Sequence, residues 1–268
     1  MVKREKLNQL YHLQKGIVLQ SSWLEKQGYS YELQQRYRKS KWLIPVGDGA
    51  YVRTGDKVGF EGAIYALQKQ SNLSIHPGGT TAFFSGPRMT KLTLFGGAKE
   101  KLPKWFCRHD WEIKINFHAT SFLDPNIGLI NKEVGGLNLT VSSPARALME
   151  CLYLAPQHQD LMECYELMKG LGTLHPGEVQ ALLENCRSVK VKRLFLYLAD
   201  TADHPWVDDI DLSNVDLGKG KRSIVRNGVY NDGYSMTVPK ELAAIPPAGF
   251  LRDPSTQPGR PDSSLSPA

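Results

Sequence analysis

Within the first fifty-five residues, one glycine separates two short stretches of helical character, and an apolar hairpin pattern follows them. Ser22-Trp23-Leu24-Glu25 matches the capping box S-x-x-E, which predicts a helix to about Gln27. Gly28 ends that helix and permits a tight turn, and Ser30 is suited to cap the next one. Upstream, Val2 to Leu13 predicts a first helix with Leu7, Leu10 and Tyr11 inward, Val2 extending that side, and Gly16 as its stop. Ile17-Val18-Leu19 reads as a short apolar connector or a first small strand. Downstream, Leu43-Ile44-Pro45-Val46 and Ala50-Tyr51-Val52-Arg53 flank Gly47-Asp48-Gly49, a hairpin signal. Helix, helix, glycine turn, helix and hairpin is the order of a winged helix-turn-helix, whose third helix enters the major groove of DNA.

On the third helix, Leu33 and Tyr37 point one way, while Tyr31, Gln34, Gln35 and Arg38 recur as a polar stripe. Glutamine pairs with adenine edges and arginine with guanine, and lysines reach phosphates. The expected DNA-contacting set is therefore Tyr31, Gln34, Gln35, Arg38, Lys39, Lys41 and Arg53. Charge agrees with it. Residues 1–55 hold ten basic and four acidic side chains, an excess equal to the whole formal net charge of +6. A basic module on a neutral remainder points to a polyanion for the module alone. Phosphate contacts on this scale predict a log–log salt slope of about −4 to −6 per monomer. The competing reading is an ordinary solvated helix face.

The remainder predicts a larger domain of mixed sheet and helices over residues 56–245, with the module boundary between 55 and 90. Glu61 to Gln70 is a helix, and Gly78-Gly79 a backbone turn rather than a phosphate loop. Period-two patterns predict strands at Leu92–Phe95, Trp111–Phe117, Ile127–Ile130 and Leu137–Val141, in an antiparallel or mixed sheet wet on one side. Ser143-Pro144 opens a run of at least four helices with apolar stripes such as Ala145, Leu148, Met149 and Leu152. Tyr230 to Val238 predicts a closing strand pair. The fold class is thus α+β. Residues 246–268, rich in proline, predict a disordered tail.

The chemistry-bearing residues assemble no catalytic set. The seven histidines form no metal-binding spacing, and no carboxylate pair compels acid–base work. Asp208, Asp209 and Asp211 read as a solvated loop rather than a metal site, and no cofactor is implied. Lys219, Lys221 and Arg222, in Gly218-Lys219-Gly220-Lys221-Arg222, form a small basic loop without Walker spacing. Cys151, Cys164 and Cys186 fall on apolar stripes, as buried reduced thiols do. No apolar run approaches a membrane span, and the N-terminus lacks a signal-type core, so a cytoplasmic protein is expected.

The winged-helix order, Gly78-Gly79-Thr80-Thr81-Ala82, Ser143-Pro144-Ala145-Arg146-Ala147-Leu148, and Leu212 to Leu242 with Val215-Asp216-Leu217-Gly218-Lys219-Gly220-Lys221-Arg222 resemble the AbiEi antitoxins over about residues 4–245. The resemblance implies a bacterial type IV toxin–antitoxin or abortive-infection system. Such a protein represses its own promoter through DNA repeats and counteracts a nucleotidyltransferase-like toxin without forming a stable complex. No catalytic residue carries over. Two other readings fit the same residues: a winged-helix regulator whose body senses a small ligand, and a nucleic-acid-processing enzyme with a winged-helix substrate module.

Overall fold

The computed structural model describes residues 2–83 and 89–245, with side chains from Lys6 onward. The side chain of Val2 and the proline-rich tail, both named above, lie outside the described residues. Packing divides the chain into two compact units, Met1–Ala147 and Leu148–Ala268.

The first unit opens with α1 (Val2–His12), β1 (Leu19–Gln20), α2 (Ser21–Lys26), α3 (Tyr31–Lys39), β2 (Leu43–Gly47) and β3 (Ala50–Arg53). β2 and β3 pair antiparallel from Leu43↔Arg53 to Gly47↔Ala50, and β1 adds to the other edge of β3. This is a winged helix. Gly28 adopts the left-handed conformation (φ +81°) in the turn between α2 and α3, where a side chain would be strained. Two local expectations fail. The capping box does not form, because α2 starts at Ser21 and its N-cap, Gln20, makes no side-chain cap bond. Tyr11 is exposed and sets its ring edge-on to Trp42, 5.7 Å between centroids, because only Leu10 of that helix side is fully covered.

The unit continues with α4 (Phe60–Lys69), β4 (His76–Pro77), α5 (Thr80–Phe83), β5 (Lys91–Gly97), α6 (Lys104–Arg108), β6 (Lys114–Thr120), β7 (Leu129–Val134) and β8 (Leu137–Ser142). β4 and β5 are antiparallel and β5 and β6 parallel, so the sheet is mixed; β7 and β8 form a separate hairpin about Gly135-Gly136. The sheet is not wet on one side throughout. Central β5 is buried from Leu92 through Gly96, as expected of a strand covered on both faces. Trp111 precedes β6 rather than lying in it, and its indole Nε1 donates to the Phe106 carbonyl at 2.8 Å.

The winged helix is not a separate packing body. One apolar cluster runs from Leu10 through Ile64, Leu67, Leu92 and Leu94 to Val141. Buried amides tie it further: Gln20 Nε2 donates to Ala66 O (2.9 Å), and Gln70 Nε2 donates to Val18 O (2.7 Å). The packing division falls after Ala147. Glutamines are unremarkable in sequence, and only their pairing reveals this seam.

Helix α7 (Pro144–Leu154) is followed by α8 (Leu161–Lys169), α9 (Pro176–Asn185), α10 (Val189–Thr201), β9 (Arg222–Ser223), β10 (Val229–Asn231), β11 (Met236–Val238) and α11 (Lys240–Ala243). Ser143 Oγ accepts from Arg146 N, and Asp160 caps α8 through Met162 N and Glu163 N. The apolar stripes read from the sequence are buried. Within the second unit α10 is covered all round, every residue from Val191 to Thr201 being buried, as for a central helix. The expected closing strand pair is β10–β11, with β9 added parallel.

Candidate nucleic-acid interface

α3 is set by its ends. Ser30 Oγ accepts from Leu33 N at the N-terminus, and Lys41, itself left-handed (φ +57°), turns the chain into β2 while its N–H donates to Arg38 O at 3.0 Å. The helix then divides its polar residues unequally. Gln34 is fully buried: its Nε2 donates to Tyr29 O (2.8 Å) and Ser21 O (3.1 Å), and its Oε1 accepts from Ser21 Oγ (2.7 Å). It fastens α3 to α2 and to the turn between them, so the expectation that it reads a base is corrected. Sequence spacing put Gln34 on the polar stripe, but the close crossing of α2 needed a hydrogen-bonding side chain there. Tyr37 is buried beside Tyr29, and burial raises both phenol pKa values. The Tyr37 hydroxyl has no partner among the described residues.

Arg53 is corrected likewise. Its guanidinium is 4% exposed, donates to the carbonyls of Leu10, Tyr11, Leu13 and Gln14, and pairs with Asp56 at 2.8 Å. It satisfies the carbonyl groups at the C-terminal end of α1, which would otherwise lack donors. No donor remains for a phosphate on the surface.

The other five residues are on the accessible side. Tyr31, Gln35 and Arg38 line one cleft with Ser21, Tyr51 and residues 45–49 of the hairpin, about 430 Å³ in volume. Arg38 Nη1 donates to Gln35 Oε1 at 3.1 Å, and the guanidinium carbon lies 5.7 Å from the centre of the Tyr51 ring. Lys39 and Lys41 are exposed at the end of the helix. Such an arrangement offers planar donors toward base edges and mobile ammonium groups toward phosphates. At the hairpin tip, Asp48 is acidic but engaged by Arg108 at 3.2 Å. Sequence reasoning missed Arg36, exposed on α3, which charge alone would have flagged. Tyr51, which also lines the cleft, was outside the expected set, because its place there depends on the cross-strand geometry.

In the second unit, Lys219, Lys221 and Arg222 are exposed, and Lys221 Nζ sits 4.8 Å above the Tyr230 ring. The loop beneath them turns its carbonyls inward. Leu217, Gly218 and Gly220, together with Ser235, accept from the buried Arg193 guanidinium at 2.8–3.0 Å. The glycines serve this wrapping, with Gly218 and Gly220 both at positive φ. Asp211 accepts from Ser213 N and Oγ, bonds that hold its pKa below the usual carboxylate value; it caps a short 3-10 helix. Among the described residues, no three His, Cys, Asp or Glu side chains gather as metal ligands, and no helix is long and apolar enough to cross a membrane.

Residues 3–90 match the family model described as the N-terminal domain of the AbiEi antitoxin transcriptional regulators, and residues 89–239 match the one described as transcriptional regulator, AbiEi antitoxin, type IV TA system. No curated protein matches the chain. Among solved structures, the RV2827C protein from Mycobacterium tuberculosis shares the fold, with a TM-score of 0.55 at 10% identity over 88% of each chain. Together the two family models span nearly all of the described residues, and the chain belongs to the AbiEi antitoxin family of transcriptional regulators of type IV toxin–antitoxin systems.

Proposed function

We propose that this protein is an autorepressor and antitoxin in which the winged helix binds repeats in its own promoter, as duplex DNA. Tyr31, Gln35 and Arg38 face the bases, while Lys39 and Lys41 contact phosphates. Residues 1–55 are the DNA-contacting module, and residues 56–245 counteract a nucleotidyltransferase-like toxin without forming a stable complex. Lys219, Lys221 and Arg222 are the electropositive patch that serves this second activity. The protein works in the cytoplasm, on nucleoid DNA, and carries out no catalysis.

One observation carries the reading: the cleft between α3 and the hairpin is lined by Tyr31, Gln35 and Arg38, with Lys39 and Lys41 exposed beside it. The test is fluorescence anisotropy with a duplex from directly upstream of the reading frame, titrated across salt. With Arg53 withdrawn, a log–log slope of about −3 to −5 per monomer is expected. Arg38→Ala should weaken specific binding by ten-fold or more, about the discrimination of one good base contact. Binding to every promoter fragment that is equally weak in wild type and Arg38→Ala overturns the DNA assignment. For the second activity, the neighbouring nucleotidyltransferase-like gene is co-expressed with the full chain. Growth restored by both wild type and Arg38→Ala, with no co-purification, separates neutralisation from repression. Growth arrest unrelieved by wild type refutes the antitoxin half.

A further inference from the structure

We infer that Arg38 is a guanine reader held in place before DNA arrives, with Gln35 and Tyr51 as its positioning residues. The inference rests on the duplex-DNA reading above and names what that site recognises.

The guanidinium is a planar fork of five N–H donors. One Nη1 hydrogen is directed to Gln35 Oε1, and the guanidinium carbon lies over the Tyr51 ring, 5.7 Å from its centre. Tyr51 is itself 4% exposed and lies in the central strand of its sheet, opposite Leu19 on one side and Pro45 on the other. The platform is therefore fixed by backbone pairing on both edges. Among the described residues, Nη2 and Nε of Arg38 have no protein partner, and the side chain is exposed toward the cleft. Two parallel donors on one edge match the O6 and N7 acceptors of guanine in the major groove. Restricting the rotamers in the free protein lowers the entropy lost on binding. Lys39 and Lys41 have no such platform among the described residues, and an ammonium on a flexible four-carbon stem is not held in one orientation before binding. The chemistry thus separates one reading residue from its phosphate-binding neighbours.

The test selects duplexes from a randomised pool with the full chain at fixed salt, then replaces each selected guanine by 7-deazaguanine, which lacks the N7 acceptor. Loss of about ten-fold in wild-type affinity at one guanine is expected. Arg38→Ala should be indifferent to that replacement while keeping the salt slope. Gln35→Ala, a partly exposed change that spares the core, should shrink the penalty several-fold, as should Tyr51→Leu. Tyr51→Phe, which keeps the ring, should restore it. The inference is overturned if wild type tolerates 7-deazaguanine at every position. It is equally overturned if Arg38→Ala weakens all sequences alike and lowers the slope by about one, the mark of a phosphate contact. If no duplex is enriched, the DNA reading itself fails and this inference with it.

Discussion

Replacing Arg53 tests the division between structural and DNA-facing charge most directly. Its guanidinium holds the Asp56 carboxylate, the carbonyls of Leu10 and Tyr11 in the last turn of α1, and those of Leu13 and Gln14 just after it. Removing one partner of a buried ion pair costs about 3–5 kcal/mol, because the other charge is left without compensation. Two features place Arg53→Ala at the lower end of that range. Asp56 keeps a second donor, the Gly16 N–H at 3.2 Å, and Tyr11 and Gln14 lie on an exposed segment whose carbonyls can take up water. A loss of about 3 kcal/mol, divided by a urea m-value of about 2 kcal/mol/M, lowers the midpoint of the first unit by about 1.5 M. The assay is urea unfolding followed by tryptophan fluorescence, paired with the salt dependence of DNA binding for the folded variant. Arg53→Lys should recover less than half, because one ammonium cannot span four carbonyls and a carboxylate. An unchanged midpoint with a salt slope reduced by about one would refute the reasoning and return Arg53 to the DNA surface.

Gln34→Leu should destabilise the first unit by about 1–3 kcal/mol, since Ser21 and Tyr29 lose a buried partner; unchanged unfolding with lost sequence preference would return Gln34 to the groove. A Cβ at Gly62 would lie 2.0 Å from the Gly16 carbonyl oxygen, so Gly62→Ala should lower stability by about 1–3 kcal/mol, read by urea midpoint; a stabilised variant would show that this backbone contact yields freely. Burial pushes the Cys164 thiol up to about 12 and raises those of Cys151 and Cys186. At pH 8 a thiol reagent should therefore label one cysteine of the native chain, the exposed Cys107, and all four after denaturation, by mass spectrometry. Arg193→Met should release the 217–220 loop and raise its amide hydrogen exchange, leaving DNA affinity within two-fold.

The sequence by itself determined the local elements. Capping Ser30, the turn at Gly28, the Gly47-Asp48-Gly49 hairpin and the apolar helix stripes after Ser143 are all short-range features, whose physics acts within a few residues. They were enough for the winged helix and the α+β class. Tertiary structure alone decided which polar side chains face outward. Gln34 and Gln35 are adjacent and chemically identical, yet one is buried by the crossing of α2 and the other borders the cleft. Arg38 and Arg53 carry the same charge, yet one borders the cleft beside Tyr51 while the other is enclosed by carbonyls in and just after α1, more than forty residues away at Leu10. Long-range hydrogen bonds leave no periodic trace in a sequence, because either side of a polar pair looks like any surface residue until the chain brings its partner near.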